Sequence, residues 1–449
     1  MTGLAESTTT PAATRWAVQL AVLWGIQLVD VLVVTSVTPA IPAMLAATGA
    51  AKGAATLLAA AAAMAFAGLL LLSARLGDRF GHRRMLLAGL VVFGLAAVAG
   101  GTAHSIGQLV AARIGQGAAA ALCVPAAMWA LLRLNTEPVR RRTALAGWSA
   151  SGATAGVLGY VVGGGLTQAL GWHWVFWVNV PITVVLFLGA LLVVPSDSAD
   201  PDVRLDLWGA VLLTAAVMTL VGSAAVLQDG LVAIGSAGLA AGVALGALFA
   251  AQQRRAAEPL VPRASRRDAR LRVGLAASFV NTATTGGIAI VVVLTLQETM
   301  KLSPATAAFV MMPLSAAVVI GSVASRLPAL ASSSVRPTVL GLLAIAAGGL
   351  VLTIMHGEVA AIVVAISVAG AGLGLASVGA TSIGTSGRAG ADSAAVGLLN
   401  TAAQLGNALG VAALLGLMAL PQGGTSLAFL LVAVGGVATA IGVARSPVP

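Results

Sequence analysis

Residues 16–51, WAVQLAVLWGIQLVDVLVVTSVTPAIPAMLAATGAA, contain a single charged side chain, Asp30. About 20 apolar residues are enough for a helix to cross a bilayer, so this stretch predicts a membrane span over about residues 17–42. An ionisable group at mid-membrane depth costs roughly 2.5–3.5 kcal/mol on insertion scales, and such groups are usually functional. Arg113 is the other charge set comparably deep in an apolar stretch. A carboxylate and a guanidinium in this setting suggest proton-coupled movement of a solute through lipid.

The composition excludes an ordinary soluble protein. Of 449 residues, 59% are hydrophobic and 8% are charged, and the mean hydropathy is +1.01. Soluble domains are about 25% charged, so we predict that membrane lipid is the solvent for most of this surface. The single cysteine, Cys123, excludes a disulfide framework, and no histidine or cysteine spacing predicts a metal site. The polar N-terminus lacks the features of a cleaved signal peptide.

Charged residues divide the chain into stretches that hold about 14 spans, which predicts an all-α integral membrane protein. Two charge-free runs, residues 143–196 and 393–444, are each long enough for two spans. A short turn at Asp229-Gly230 divides another run into a helical hairpin. An even number of spans places both termini on the same side of the membrane.

The distribution of arginine and lysine predicts the orientation of these spans. Of 24 such residues, all but Lys52, Arg113 and Lys301 fall at the termini or in loops that follow even-numbered spans. Basic loops usually stay in the cytoplasm, so we predict a multi-pass cell-membrane protein with cytoplasmic termini. The net charge of +10 then reflects membrane topology, and we predict no nucleic-acid partner.

The connection between the second and third predicted spans is ARLGDRFGHRRM, residues 74–85. Its glycines permit a tight turn, and its acidic residue can pair with the neighbouring arginines or cap a helix. A short loop that merely needs glycine and arginine explains the arginines but not the Gly-Asp-Arg-x-Gly spacing. The candidate residues of this switch loop are Gly77, Asp78, Arg79, Gly81, Arg83 and Arg84.

The fourth predicted span contains ARIGQGAAAAL, residues 112–122. Arg113, Gln116 and Gly117 lie at i, i+3 and i+4 and therefore share one helical face. An arginine at this depth is expected to face the bundle interior or a wet cavity. A buried structural ion pair is the alternative to a role in proton coupling.

The fifth predicted span contains SGATAGVLGYVVGGGL, residues 151–166. Small residues at intervals of four allow helix backbones to approach closely. Ordinary helix packing and a specialised transport motif both explain this pattern. The residues concerned are Gly156, Gly159, Gly163 and Gly164.

These stretches resemble the motifs of the major facilitator superfamily. The loop at residues 74–85 is similar to its signature loop, and the Arg113 stretch is similar to its second motif, whose arginine is associated with proton transfer. The glycine-rich span resembles the third motif of drug:proton antiporters, although Tyr160 stands where that motif has proline. Residues 171–182, GWHWVFWVNVPI, resemble a hallmark of the fourteen-helix drug:proton antiporters.

The resemblance covers nearly the whole chain and implies a fold. It predicts two six-helix pseudo-repeat bundles, residues 1–194 and 271–449, joined by two extra helices and a cytoplasmic linker, residues 195–270. It implies a proton-coupled exporter of drugs or amphiphilic metabolites that works by alternating access, with Asp30 and Arg113 coupling the proton. In the family the signature loop helps to control closure between the two halves.

Polar side chains on three predicted spans mark a candidate substrate cavity. Buried amides need hydrogen-bond partners, so these helix faces either line a cavity or bond between helices. The cavity candidates are Gln19, Trp24, Gln27, Gln116, Asn281, Asn400, Gln404 and Asn407. One acid among amides and apolar residues favours a lipophilic cation or a neutral amphiphile as the small-molecule substrate. We expect the protein to act as a monomer.

Two alternative functions stay open, a proton-coupled metabolite importer and a solute sensor that transports nothing. No GxxxxGK[ST] phosphate loop occurs, so we predict that ATP is not the energy source and that the proton is the coupling ion. The four histidines are far apart in sequence and no HExxH is present, so we predict no catalytic residues, no metal and no cofactor.

Overall fold

The computed structural model describes residues 11–51, 53–386, 393–420 and 423–446. This described part consists of helices and their connections, without a strand. The predicted all-α membrane fold is therefore confirmed. Its helices of 15 or more residues are α1 (Pro11–Val37), α2 (Ala54–Phe80), α3 (His82–Gly101), α4 (Ile106–Leu134), α5 (Pro138–Leu170), α6 (Asn179–Val193), α7 (Leu207–Gln228), α8 (Val232–Arg255), α9 (Ala269–Leu294), α10 (Pro304–Ala324), α11 (Val335–Met355), α12 (Val359–Thr385), α13 (Ser393–Met418) and α14 (Gly424–Ala444).

Thirteen candidate membrane spans, judged by length and apolar composition, occur in the described part of the chain. They include α1 continued through short helical turns to Thr48, and α6 continued from Trp174. The remaining long helix is α5, which has 33 residues but is rich in glycine and carries arginines in its first turns. The count of fourteen spans rests on α5 and stays a prediction.

The basic connections meet at one end of the helix bundle, termed the basic end and defined by residues 79–84, 133–141 and 254–272. The indole of Trp16 at the start of α1 donates to the Asn135 side chain at the end of α4, 2.7 Å away. Arg75 and Glu258 form an ion pair of 3.0 Å across the same end. The opposite end, termed the far end, contains residues 38–51, 53, 171–178, 228–232 and 295–304.

The helices form two groups that meet along two seams. In the first seam α2 packs against α13, and in the second α5 packs against α10. Helix α7 contacts both α2 and α13, whereas α8 packs mainly on α7. The two extra helices therefore lie beside the first seam, outside the space between the groups.

The far end is closed by contacts between the two groups of helices. Three hydrogen bonds join α1–α6 to α9–α14 in the described part of the chain. Two of them lie at the far end, where Gln297 Nε2 donates to Pro39 O at 2.9 Å and the Ala305 backbone N–H donates to Gln168 Oε1 at 3.3 Å. A buried apolar cluster that includes Ile41 and Ile288 surrounds this region.

Glycines let α5 lie between α1 and α10. A side chain at Gly163 would overlap the backbone carbonyl of Ser36 in α1, and one at Gly164 would come within 2.6 Å of the Pro304 carbonyl oxygen. Gly156 accepts a hydrogen bond from Ser315 Oγ of α10 at 2.8 Å through its carbonyl. Tyr160, which replaces the family's usual proline, is buried inside an unbroken α5.

The connection between α2 and α3 is held by Asp197, which follows α6. The carboxylate of Asp197 accepts from the backbone N–H groups of His82 at 2.6 Å and Arg83 at 3.2 Å, at the start of α3. Its Oδ2 also lies 3.1 Å from Nδ1 of His82, whose ring stacks on Trp129 with centroids 4.5 Å apart. Burial raises the pKa of Asp197, but these hydrogen bonds outweigh it and hold the pKa below its usual range.

The sequence predicts one of two roles for Asp78, which are capping a helix or pairing with the neighbouring arginines. In the structure Asp78 belongs to the last turns of α2, and its nearest charged partner is the His82 ring, with Oδ1 and Nε2 3.6 Å apart. Asp197 caps α3 instead. Asp197 and His82 are far apart in sequence, so the local pattern of residues 74–85 does not predict their contact.

We predict that Gly163→Ala destabilises the protein, because the added methyl group meets the Ser36 carbonyl. Overpacking of this kind costs about 1–3 kcal/mol, which lowers the thermal unfolding midpoint in detergent by several degrees. Gly165→Ala is the matched control, since nothing lies within 4 Å of that position. Equal midpoints for the two variants would contradict the close packing of α1 and α5.

A second prediction concerns the Asp197 cap. Asp197→Ala is expected to lower the free energy of unfolding by about 1 kcal/mol at neutral pH. A carboxyl whose pKa is lowered by folding contributes stability above its unfolded pKa, near 3.9, and loses it as the pH falls through the folded value. The difference between the thermal midpoints of wild type and variant is therefore expected to shrink below about pH 4. The exposed Asp202→Ala serves as control, and a pH-independent difference would contradict the proposed cap.

Candidate functional site

A cavity of about 170 Å³ lies between the first four helices and α13. Four of its lining residues carry polar side chains, namely Asp30, Thr35, Gln116 and Gln404. The remaining surface is apolar and includes two aromatic rings, Phe66 of α2 and Phe93 of α3. The cavity therefore joins one carboxylate, two amides and apolar walls, and both groups of helices contribute to it.

Asp30 lies at the wall that this cavity shares with a second space of about 20 Å³, which Cys123 and Leu186 also line. Across the described residues, Asp30 forms no hydrogen bond or ion pair. A charged carboxylate in apolar surroundings is costly unless a proton or a cation neutralises it. This side chain is therefore placed to accept either of them.

Arg113 is fully enclosed, with 1% of its surface exposed. Its guanidinium donates to three acceptors, which are the backbone carbonyls of Val33 at 3.2 Å and Leu58 at 3.4 Å, and Gln116 Oε1 at 3.0 Å. It thereby connects α4 to both α1 and α2. No ion pair within 4 Å joins Arg113 to any acid in the described part of the chain, so the alternative of a buried ion pair does not describe this conformation.

Some of the cavity candidates predicted from the sequence line the cavity, and others do not. Gln116 and Gln404 line the cavity together with Asp30, whereas Gln19 and Trp24 point elsewhere. The Gln19 amide lies 3.5 Å from the Val193 carbonyl at the end of α6, and the Trp24 indole donates to the Ala144 carbonyl of α5 at 2.9 Å. In the sequence, Gln19, Gln27 and Asp30 lie at i, i+8 and i+11 and so share one helical face, but neighbouring helices pack on part of that face.

Three further candidates, on α1, α9 and α13, make contacts between helices. Gln27 packs beside Gly152 of α5. Asn281 of α9 donates to Ser377 Oγ of α12 at 2.9 Å, and Asn407 of α13 packs against Gly286 of α9. These positions are at the helix interfaces that support the cavity.

Asn400 lies on α13 one turn before Gln404 and is partly exposed. The cavity wall described above does not include it.

Two cavity residues, Phe66 and Phe93, were not among the sequence candidates. Each is an apolar residue in an apolar helix, so neither hydropathy nor spacing separates it from residues that face lipid. Thr35, also on the wall, donates to the Ala155 carbonyl of α5 at 3.2 Å. The tertiary arrangement alone identifies these three positions.

The switch-loop candidates lie at the basic end, away from the cavity. Gly81 has φ of 95°, a conformation that favours glycine, and a side chain there would approach Asp197. Gly77 packs against the His82 ring. Arg79 and Arg83 donate to the carbonyls of Val203 at 2.9 Å and Leu191 at 2.7 Å, respectively, and Arg84 is exposed.

Among the described residues, no cluster of three histidine, cysteine or acidic side chains has the arrangement of a metal site. The chemistry available in the cavity is therefore that of one carboxylic acid, amide and hydroxyl groups, and aromatic surface.

Comparison with known proteins identifies the family of this chain. The profile of the Major Facilitator Superfamily matches residues 23–411. The chain is similar to the puromycin resistance protein pur8 of Streptomyces alboniger, with 33% identity over 90% of this chain and 82% of the relative. It is also similar to the tetracenomycin C resistance and export protein of Streptomyces glaucescens, with 32% identity over 79% of this chain and 67% of the relative.

For two other relatives the matched segment is shorter, at 54% and 42% of the relative's own length. Among solved structures, the fold is similar to that of the human organic anion transporter MFSD10 (TETRAN), with a TM-score of 0.65 and 14% identity. That alignment covers 95% of this chain and 99% of the transporter and shows the shared fold. From its family profile and its relatives, this chain belongs to the major facilitator superfamily and is a transporter rather than an enzyme.

Proposed function

We propose that this transporter is a proton-coupled exporter of lipophilic cations or neutral amphiphiles, of the fourteen-helix drug:proton antiporter type. The single observation that carries the proposal is the position of Asp30. It is the one acid of a cavity between the two groups of helices, and it has no protein partner in the described residues. A proton and a cationic cargo are then alternatives at the same carboxylate, which couples their movements in opposite directions.

Arg113 has a different role in this proposal from the direct pairing that its depth suggests. Its three acceptors are neutral oxygens on α1, α2 and α4. Its positive charge still favours the charged form of a carboxylate in the same apolar region. A change in the packing of α1 against α4 would alter this influence, and proton release would follow the conformation.

We propose alternating access on the basis of the two seams. The hydrogen bonds at Gln297 and Gln168 support a state in which the far end is closed. The arginine-rich loops favour a cytoplasmic location for the basic end, and both the start of α1 and the end of α14 lie there. We therefore propose that the cavity exchanges cargo with the cytoplasm in this conformation, and that rocking about α2–α13 and α5–α10 opens the far end.

The proposed cargo class follows from the wall of the cavity. Phe66 and Phe93 offer aromatic surface beside Asp30, and aromatic faces attract organic cations. No basic side chain is among the described residues that line the cavity, which disfavours anions. Antibiotic resistance and export, which the names of the relatives state for those proteins, support export as the direction for this chain.

The proposal predicts energised efflux of an organic cation. Cells that lack their own exporters are loaded with ethidium, and the loss of fluorescence is followed with and without a protonophore. Expression of the chain is expected to produce efflux that the protonophore abolishes. Accumulation of dye above the control level would favour an importer, and no flux in either cells or proteoliposomes would favour a solute sensor.

Asp30→Asn is expected to reduce uphill efflux to the background level. The amide keeps the size and polarity of the side chain but cannot exchange a proton. Membrane insertion, measured by fluorescence-detected size-exclusion chromatography, is expected to be unchanged. The control is Asp202→Asn, which removes an exposed carboxylate from the connection between α6 and α7. This variant is expected to retain efflux. Uphill efflux by Asp30→Asn would refute the assignment.

Arg113→Lys separates the effect of charge from that of position. Lysine keeps the positive charge, but its ammonium group cannot reproduce the planar fork that reaches three acceptors. Loss of one such hydrogen bond, ~1.4 kcal/mol, is expected to slow efflux about tenfold. If Arg113→Lys transports at the wild-type initial rate, charge alone is required and the fixed contacts are not.

A further inference from the structure

The orientation of the Gln116 amide is fixed by chemistry. Gln116 lies one turn after Arg113 on α4 and is 2% exposed. Arginine has only N–H donors and no acceptor, so the amide group that contacts it must be the oxygen. The Nη1–Oε1 distance of 3.0 Å agrees with this assignment. The NH₂ group of Gln116 therefore points away from Arg113.

That NH₂ group has no acceptor in the described part of the chain, and less than 1 Å² of the nitrogen is accessible to water. Buried polar groups in proteins are almost always hydrogen-bonded, so an unpaired one requires an explanation. Gln116 lines the same cavity as Asp30. An acceptor for this nitrogen is therefore most directly supplied by a molecule that occupies the cavity.

The other polar groups of the wall do not supply the acceptor. The Thr35 hydroxyl is directed to backbone carbonyls of α1 and α5. No hydrogen bond joins Gln116 to Asp30 or to Gln404 among the described residues. Gln116 and Asp30 thus both line the cavity, and among the described residues neither the Gln116 nitrogen nor the Asp30 carboxylate has a hydrogen-bond partner.

We propose that Gln116 is a specificity-determining residue that donates a hydrogen bond to an acceptor oxygen of the cargo, and that Arg113 is the positioning residue that presents it. The preferred cargo carries a carbonyl or ether oxygen beside its apolar or cationic part. Binding involves a small rotation of the Gln116 side chain while Oε1 stays on Arg113. This inference rests on the proposed function for the location of the cargo, but not for coupling or direction.

The test uses two quaternary ammonium ions that differ in one atom group. Both probes have a single aromatic ring, because the cavity is small, about 170 Å³, in this conformation. They are (4-acetylbenzyl)trimethylammonium and its isopropenyl analogue, in which a methylene group replaces the ketone oxygen. Affinities are measured by isothermal titration calorimetry on the purified full chain in lipid nanodiscs, without any gradient.

The wild-type chain is expected to bind the ketone about tenfold more tightly than the alkene, because only the ketone pairs with the buried donor. In Gln116→Met the ratio of the two affinities is expected to fall to about one, while the alkene affinity is retained. Gln116→Glu keeps an oxygen on Arg113 but replaces the donor by an acceptor, and it is also expected to lose the preference. This second variant guards against a packing defect of the first.

Gln228→Met is the matched control. Gln228 also accepts a hydrogen bond through its oxygen, from Thr56 at 2.9 Å, and its nitrogen is also buried without a partner among the described residues. Unlike Gln116, Gln228 is the last residue of α7 and lies at the far end of the bundle. It is expected to keep the full ketone preference. Equal wild-type affinities, no binding of either probe, or a preference that survives in Gln116→Met would each overturn the inference.

The binding and efflux measurements separate this inference from the proposed function. Ketone preference without ethidium efflux would contradict proton-coupled export and leave the role of Gln116 intact. Efflux without ketone preference would overturn the inference about Gln116 alone.

Discussion

The hydrogen bonds of the Arg113 guanidinium connect three of the helices that line the cavity, α1, α2 and α4. In lipid, every buried donor and acceptor has to be paired within the protein, and an arginine has five donors to place. It reaches carbonyls on α1 and α2 as well as a side chain on its own helix. These contacts set the distance between three helices of the wall and fix the orientation of Gln116. In the same arrangement the guanidinium is directed to these neutral oxygens and not to Asp30, which forms no hydrogen bond among the described residues.

Close helix packing provides the frame around this centre. Lipid does not drive apolar helices together, so small residues that admit close backbone contact carry much of the association. Gly163 and Gly164 on α5 place that helix against α1 on one side and α10 on the other. These glycines therefore set the spacing of α5 relative to α1, which lines the cavity, and relative to α10 across the second seam.

The basic end is organised differently, through charges and helix caps. Asp197 fixes the start of α3 and contacts His82, whose other ring nitrogen faces Asp78 at 3.6 Å. The α2–α3 connection, the segment after α6 and α4 are thereby joined at one place through His82 and Trp129. This cluster links the loop that resembles the family's switch to the ends of helices whose other regions line the cavity.

The sequence by itself determined the solvent, the helices and the depth of the two buried charges. Hydropathy is a sum over neighbouring residues, so it predicts the span at residues 17–42. The loop at residues 74–85 and the family resemblance rest on short motifs, which are also local in sequence. The partners of side chains were decided only by the tertiary structure. Asp197 contacts His82, and Gln404 lines the same cavity as Asp30, because distant helices pack together, and no local pattern encodes these arrangements. Phe66 and Phe93 line the cavity for the same reason, since an apolar residue faces lipid or cargo according to its neighbours in space.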